Sequence, residues 1–175
     1  MPMKIVKWFT DDDVKGAVDE FVKKFDDGSL TGNDAELFFK AMAEAGRISQ
    51  TTDDEDKQEY AEILADDVEE YESMCYCTQV RGSNTAFIQV MTVDEQKLGV
   101  YEGEYDENDP LLADYKVKVF MEMTPDTMLQ IMKGNPNTDA QFFSGDLTVK
   151  GSIKLAVKPR EWIYAFFDFI EREPE

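Results

Sequence analysis

The side chains able to do chemistry in this sequence are of two kinds: a pair of cysteines two residues apart, Cys75 and Cys77, and a large excess of carboxylates. Thirty-eight acidic residues face eighteen basic ones, for a formal charge of −20, and there is no histidine. The missing histidine removes the commonest general base and the commonest metal ligand together. Ser-His-Asp triads, Cys-His dyads and histidine-containing zinc sites are excluded. Two thiolates alone cannot complete a tetrahedral metal site. On a strand, Cys75 and Cys77 share a face at a Cα separation near the limit for a bridge, so they read as reduced thiols used as small core residues. The runs Asp11-Asp12-Asp13 and Asp53-Asp54-Glu55-Asp56 lack the spacing and the glycine of a calcium loop, and read as helix caps and solvated faces. Asp106 to Asp109 reads as a solvent loop. No nucleophile–base pair can be assembled, so an enzyme is the least supported class, and neither a cofactor nor a metal is expected.

The charge excludes partners as well. Nucleic-acid binding needs a basic footprint to release counterions, and an acidic chain offers none. Anionic membranes should repel the chain on average. High salt would screen its self-repulsion, as in a halophile, but the lysines are not depleted. Apolar residues make up 42% and aromatics 12%, enough for an ordinary core in a chain of 175 residues. The start is unlike a secretory signal, and no apolar run approaches the ~20 residues of a spanning helix. Stable membrane insertion is therefore not expected, and the cytoplasm is the default compartment.

The elements that must position any site fall into two regimes. The first seventy residues read as helices. Val14, Ala17, Val18, Phe21, Val22 and Phe25 form one stripe over 11–25, ended by Gly28. Leu37, Phe38, Ala41, Met42 and Ala45 form a second, with Gly46 as its stop. Tyr60, Ile63, Leu64, Val68 and Tyr71 form a third over 53–71. The period then drops from 3.6 to 2. Strands are predicted over 73–80, 87–93, 98–105 and 115–123, with Arg81 to Asn84 as turn chemistry. Thr124-Pro125-Asp126 is a helix start, a capping hydroxyl followed by proline at the first helical position.

A fifth strand is predicted over 147–157. Leu147, Val149, Ile153, Leu155 and Val157 lie on one face, with polar residues on the other. One wet face and one covered face fit a mixed or antiparallel sheet with helices on one side. Gly145 reads as a turn and Gly151 as a close approach or bulge, and their spacing is not a nucleotide fingerprint. The last helix, Trp162 to Ile170, is apolar nearly all round and requires cover on more than one side.

The run from Phe142 to Ala156, with an aromatic residue three before a glycine and a second glycine six residues on, resembles the closing signature of the sterol carrier protein 2 family. Ala113-Asp114, the alternating strand after it, Thr124-Pro125-Asp126 and Lys133-Gly134 resemble that family's preceding strand and helix. The resemblance implies an α+β fold: a five-stranded, mostly antiparallel or mixed sheet with helices packed on one face, around an apolar tunnel. It implies a lipid-binding domain over 53–175 behind an N-terminal helical extension over 1–52. Its ligand would be a fatty acid, acyl-CoA, sterol-like molecule or phospholipid, bound and carried rather than transformed. Carried over by position, the tunnel wall would include Val119, Met121, Met128, Ile131, Met132, Phe142, Phe143, Val149, Ile153 and Leu155. Trp162, Phe166 and Ile170 would form a lid. The four methionines Met121, Met123, Met128 and Met132 are flexible fillers suited to an adaptable pocket.

An anionic head group is awkward unless Lys118, Lys150, Lys154 or Lys158 meets it, so a neutral or recessed polar group is the easier ligand. The competing reading is a non-catalytic accessory module. Its aromatic last helix would then form a homodimer contact or dock on a protein partner.

Overall fold

Strand β1 (Lys4–Trp8) opens the chain, in a stretch whose sequence carries no clear period. The computed structural model describes all 175 residues. Thr10 starts the helical region with a capping box closed by Asp13, whose carboxyl is held below the usual carboxylate range by its hydrogen bonds to Thr10. The first stripe is two helices, α1 (Asp11–Val14) and α2 (Ala17–Asp27), because Gly16 takes a left-handed conformation at φ 81° between them. Helix α3 (Ala35–Thr51) runs straight through Gly46, which was expected to end it. The buried face continues past the glycine to Ser49, and a Cβ at Gly46 would meet nothing nearer than Tyr60 at 3.8 Å. Helix α4 (Glu55–Tyr71) is capped by the Asp54 carboxylate, which accepts from the Asp56 amide.

The sheet has six strands, one more than expected, in the order β1-β4-β3-β2-β5-β6. Strands β2 (Ser73–Val80), β3 (Ala86–Thr92) and β4 (Gln96–Glu102) form an antiparallel meander. The chain then crosses to the other side of β2, where β5 (Val117–Met123) pairs with it in parallel. The extra strand, β1, pairs antiparallel with β4 at one edge. Residues before Thr52 therefore contribute to the sheet as well as to the helical layer.

Helix α5 (Pro125–Met132) starts as the Thr-Pro-Asp signal predicts, with the Thr124 hydroxyl accepting from the Thr127 amide. Helix α6 (Asp139–Ser144) ends at Gly145, φ 88°. Strand β6 (Leu147–Lys150) pairs with β5 and stops there. The strand predicted over 147–157 is thus a strand only over its first four residues. Gly151 turns the chain at φ 111°, and Ser152 caps a short helix, α7 (Ile153–Ala156), by accepting from the Leu155 amide. Glycine is required at the turn, since a Cβ there would lie 2.5 Å from the Lys118 carbonyl oxygen. Helix α8 (Pro159–Phe169) follows.

The helices pack on one face of the sheet. The opposite face is not left wet. Cys75, Cys77, Ile88, Val90, Tyr101 and Phe120 are buried there with Met3 and Leu112 as a second, smaller core. The segment 103–116 crosses that face. Tyr105 stacks on Phe120 at 4.9 Å, and Asp109 accepts hydrogen bonds from the backbone of Met3 (3.1 Å) and Leu111 (2.9 Å). The two cysteines are free thiols inside this core, 3.9 Å apart. The hydrogen bond between the sulfurs and burial together push the Cys77 thiol well above its ordinary value, so it is not a reactive thiolate.

Two glycine substitutions should separate backbone strain from helix propensity. Gly151→Ala should cost ~2 kcal/mol or more in urea unfolding, from the left-handed φ and the collision with Lys118. Gly46→Ala should stabilise by up to ~1 kcal/mol, since the backbone is helical and the space is open.

Candidate ligand-binding cavity

The alternation on the central strands sets the floor of a cavity. Tyr76 and Thr78 on β2, Phe87 and Gln89 on β3, and Met121 and Met123 on β5 all point toward the helices. Tyr76 faces Gln89 across one ladder and Val119 across the other. Over this floor lie Phe38, Phe39 and Met42 from α3, Tyr60 from α4, Met128 and Ile131 from α5, and Trp162 and Ile163 from α8. Pro136, Thr138, Ala156, Pro159 and Arg160 form the rim. The lining is mostly apolar, and the enclosed volume is about 70 Å³. Pockets for drug-sized ligands run ~300–1,000 Å³, so a lipid chain needs side chains to yield. Met42, Met121, Met123 and Met128 are the lining residues best able to do so.

Of the residues that the resemblance implied for the wall, the cavity lining includes Met121, Met128 and Ile131, and of the implied lid it includes Trp162. Val119, Met132, Phe166 and Ile170 are buried in the main core beside it. Val149 and Leu155 are half-buried against that core. Phe142, Phe143 and Ile153 are exposed, Phe143 at 86% and Ile153 at 57%. Ile153 is turned outward by the Gly151 break, and Phe143 by its place at the end of a six-residue helix.

Sequence reasoning did not assign Phe38, Met42, Tyr60, Tyr76 or Gln89 to the site. The signal was present in part. Phe38, Met42 and Tyr60 belong to helical stripes, and Tyr76 to an alternating strand. Nothing in periodicity says that α3 lies over the same stretch of sheet as α5 and α8.

The polar groups around the cavity are mostly committed. Asp67 on α4 is buried, and its carboxylate accepts from Trp162 Nε1 at 2.7 Å and from Lys158 Nζ at 3.3 Å. Burial opposes the charge on Lys158, but Asp67 outweighs it and holds the ammonium above the ordinary lysine value. The Tyr76 hydroxyl donates to the Leu155 carbonyl at 2.7 Å. Burial, with Asp67 second, pushes its phenol well up, and burial alone does the same to Tyr60. At the rim, Arg160 Nη2 donates to Asp139 at 2.6 Å, joining α8 to α6. No cluster of three or more carboxylate or thiol groups is arranged to hold a metal. The site can therefore enclose an apolar molecule, and it shows no group placed for bond-making.

A family model describing the SCP-2 sterol transfer family matches residues 55–162. The chain belongs to this family. SCP-2 domains are in general lipid-binding carriers, and that general character extends to this member. No curated protein is detectably similar in sequence. Among solved structures, the chain is similar to a sterol carrier protein 2 from Yarrowia lipolytica in its apo form. Identity is 13%, over 72% of this chain and 89% of that one, with a TM-score of 0.44. It is similar to the sterol carrier protein domain 2 of Helicoverpa armigera, at 18% identity over 67% and 90% of the two chains, TM-score 0.36. A UbiJ-SCP2 ubiquinone synthesis protein matches at 17% identity over 64% and 79%, TM-score 0.40. These likenesses concern the fold alone. The SCP-2 match leaves out residues 1–54 and most of α8, and those two parts pack on each other. Phe166 lies 5.5 Å from Phe21 and 5.7 Å from Phe38, and Phe167 lies 5.5 Å from Phe25.

Trp162→Phe should leave one Asp67 oxygen without its donor and cost about 1–3 kcal/mol in denaturant unfolding. Asp67→Leu in the Trp162→Phe background should recover part of that loss, because both partners are then apolar. Lack of any recovery would show that the pair's value lies in Lys158 instead.

Proposed function

We propose that this protein binds a lipid-like apolar molecule in the cavity between α3, α5, α8 and the sheet, and carries it in soluble form. The observation that supports this best is an apolar cavity bounded by movable methionines on the helix-covered face of an SCP-2 domain. The driving force is partition. Each methylene buried contributes about 0.8 kcal/mol, so a chain of a dozen carbons offers roughly 10 kcal/mol before ordering costs. Few directed contacts are needed, which favours broad specificity.

Access falls to the rim rather than to α8 as a whole. The buried aromatic face of α8 is held by Phe21, Phe38 and Tyr60. Moving it outward would expose several aromatic side chains at once. The Arg160–Asp139 pair and the short helices α6 and α7 are the weaker boundary, and Phe143 and Ile153 already stand in solvent there. The alternative use of α8 as an oligomer or partner interface loses its main motive, since Trp162, Ile163, Phe166, Phe167 and Phe169 are covered within the chain. Of its large side chains, Tyr164 is the one left half in water. No helix of the structure is long and apolar enough to cross a membrane.

Native mass spectrometry of protein purified from its own host should show co-purifying lipid masses. Ile131→Trp, which fills the cavity from α5, should lower the occupied fraction at least tenfold with a melting temperature within a few degrees of the wild type. An unoccupied spectrum, together with no uptake of a fluorescent lipid by the wild-type protein, would sink the carrier reading.

A further inference from the structure

A second cavity, of about 40 Å³, lies beyond the first, and Met42, Tyr60 and Gln89 line both. These three side chains are the partition. Tyr60 is fixed: it is 3% exposed and packs against Phe166 and Phe169 at 6.3 and 6.0 Å. Met42 is unbranched and pliable. Gln89 is loosely held, its amide nitrogen making one long contact with the Met91 sulfur at 3.9 Å. The two chambers differ in chemistry. The first is mostly apolar, whereas the second brings Gln50, Gln89, Gln96 and Arg47 together beside Leu64 and Leu98.

The cations at that end already have partners. Arg47 Nη2 donates to the Phe9 carbonyl at 2.8 Å, and Nη1 lies 3.0 Å from Asp11. That approach is close but poorly aimed, so buried Nη1 keeps a hydrogen to give. The nearby cations are also committed, Lys97 to Glu95 and Lys57 to the Phe169 carbonyl and ring. A carboxylate entering here would compete with Asp11 for Arg47 and would bring a further negative charge into a chain of net charge −20. A hydroxyl or carbonyl would find amides able both to donate and to accept.

We propose that the two cavities join into one channel when Met42 and Gln89 rotate, and that the channel takes a flexible single-chain lipid. Its uncharged hydrogen-bonding head lies among Gln50, Gln89 and Gln96, and its tail lies in the first cavity. This rests on the carrier reading and narrows its ligand. A rigid fused-ring molecule cannot pass the Tyr60 constriction, because it cannot bend around a fixed ring. A free fatty acid is disfavoured by its charge.

The test is calorimetric titration of the full chain at neutral pH with three probes: monododecanoylglycerol, dodecanoate and cholesterol, each below its aggregation limit or presented in cyclodextrin. Monododecanoylglycerol should bind at least tenfold tighter than either of the others. Gln89→Leu should shrink that ratio at least fivefold, and Gln96→Leu, at the far wall of the second chamber, should shrink it in the same direction. Both substitutions exchange an amide for an apolar side chain of similar size, and melting curves check that the fold is kept. Equal or tighter binding of dodecanoate or cholesterol overturns the inference and leaves the carrier reading standing. A monododecanoylglycerol preference unchanged in both variants also overturns it, because the head group then lies elsewhere. Failure of all three probes to bind overturns the carrier reading and this inference together.

Discussion

Phe166 is the contact on which the rest of the structure depends. It is fully buried, with Phe21, Phe38 and Tyr60 arranged around it at 5.5 to 6.3 Å, mostly edge to face. Edge-to-face pairs place the positive rim of one ring on the negative face of another, and each is worth about 0.5–1.5 kcal/mol beyond the area it buries. The cluster joins α2, α3, α4 and α8, two of which lie outside the residues matched by the family model and one of which lies mostly outside it. A helix apolar on nearly all sides is intolerable in water. Here the helices at the start of the chain supply the cover. The same arrangement places α3 over the sheet, where Phe38, Phe39 and Met42 complete a cavity wall.

The sheet is sandwiched, and this explains the composition of its strands. β2 is buried at seven of its eight residues, alternating between two cores. Its helix-side residues, Met74, Tyr76 and Val80, belong to the large core, while Cys75 and Cys77 belong to the small one. The small core depends on the crossing segment 103–116 and on the Asp109 clasp that ties Met3 to it. Cysteine suits this place as a small apolar residue packed with Tyr101 and Leu112 in one buried cluster.

Much of the architecture was legible in the sequence. The helical stripes around Phe21, Phe38 and Tyr60, the Thr124-Pro125 helix start and the alternation of β2 and β5 rest on local rules that tertiary packing did not override. The misses share a cause. β1 carries no period because it is an edge strand with little burial to enforce one. Ile153 and Val157 continue the alternation of β6 on paper, but Gly151 adopts a backbone that ends the strand whatever follows. Gly46 looked like a stop, and the interhelical contact beside Tyr60 carried the helix past it. For the cavity, the family resemblance pointed to the β5, α5 and α8 side and could not point to α3, which lies outside the matched residues. The polar end formed by Gln50, Gln89 and Gln96 brings α3 against the β3–β4 pair, and no spacing rule joins those two stretches of chain.

The pairing of β1 with β4 has a consequence for synthesis. Lys4 finds its partner at Glu102, and Phe21 finds Phe166, so the earliest residues wait for some of the latest. At ~5–20 residues per second, the stripes on α2 and α3 stay uncovered on the ribosome for several seconds. The high contact order slows closure once the chain is free. The acidic residues that flank these stripes carry like charge on every copy of the chain, and that repulsion acts before folding as well as after it.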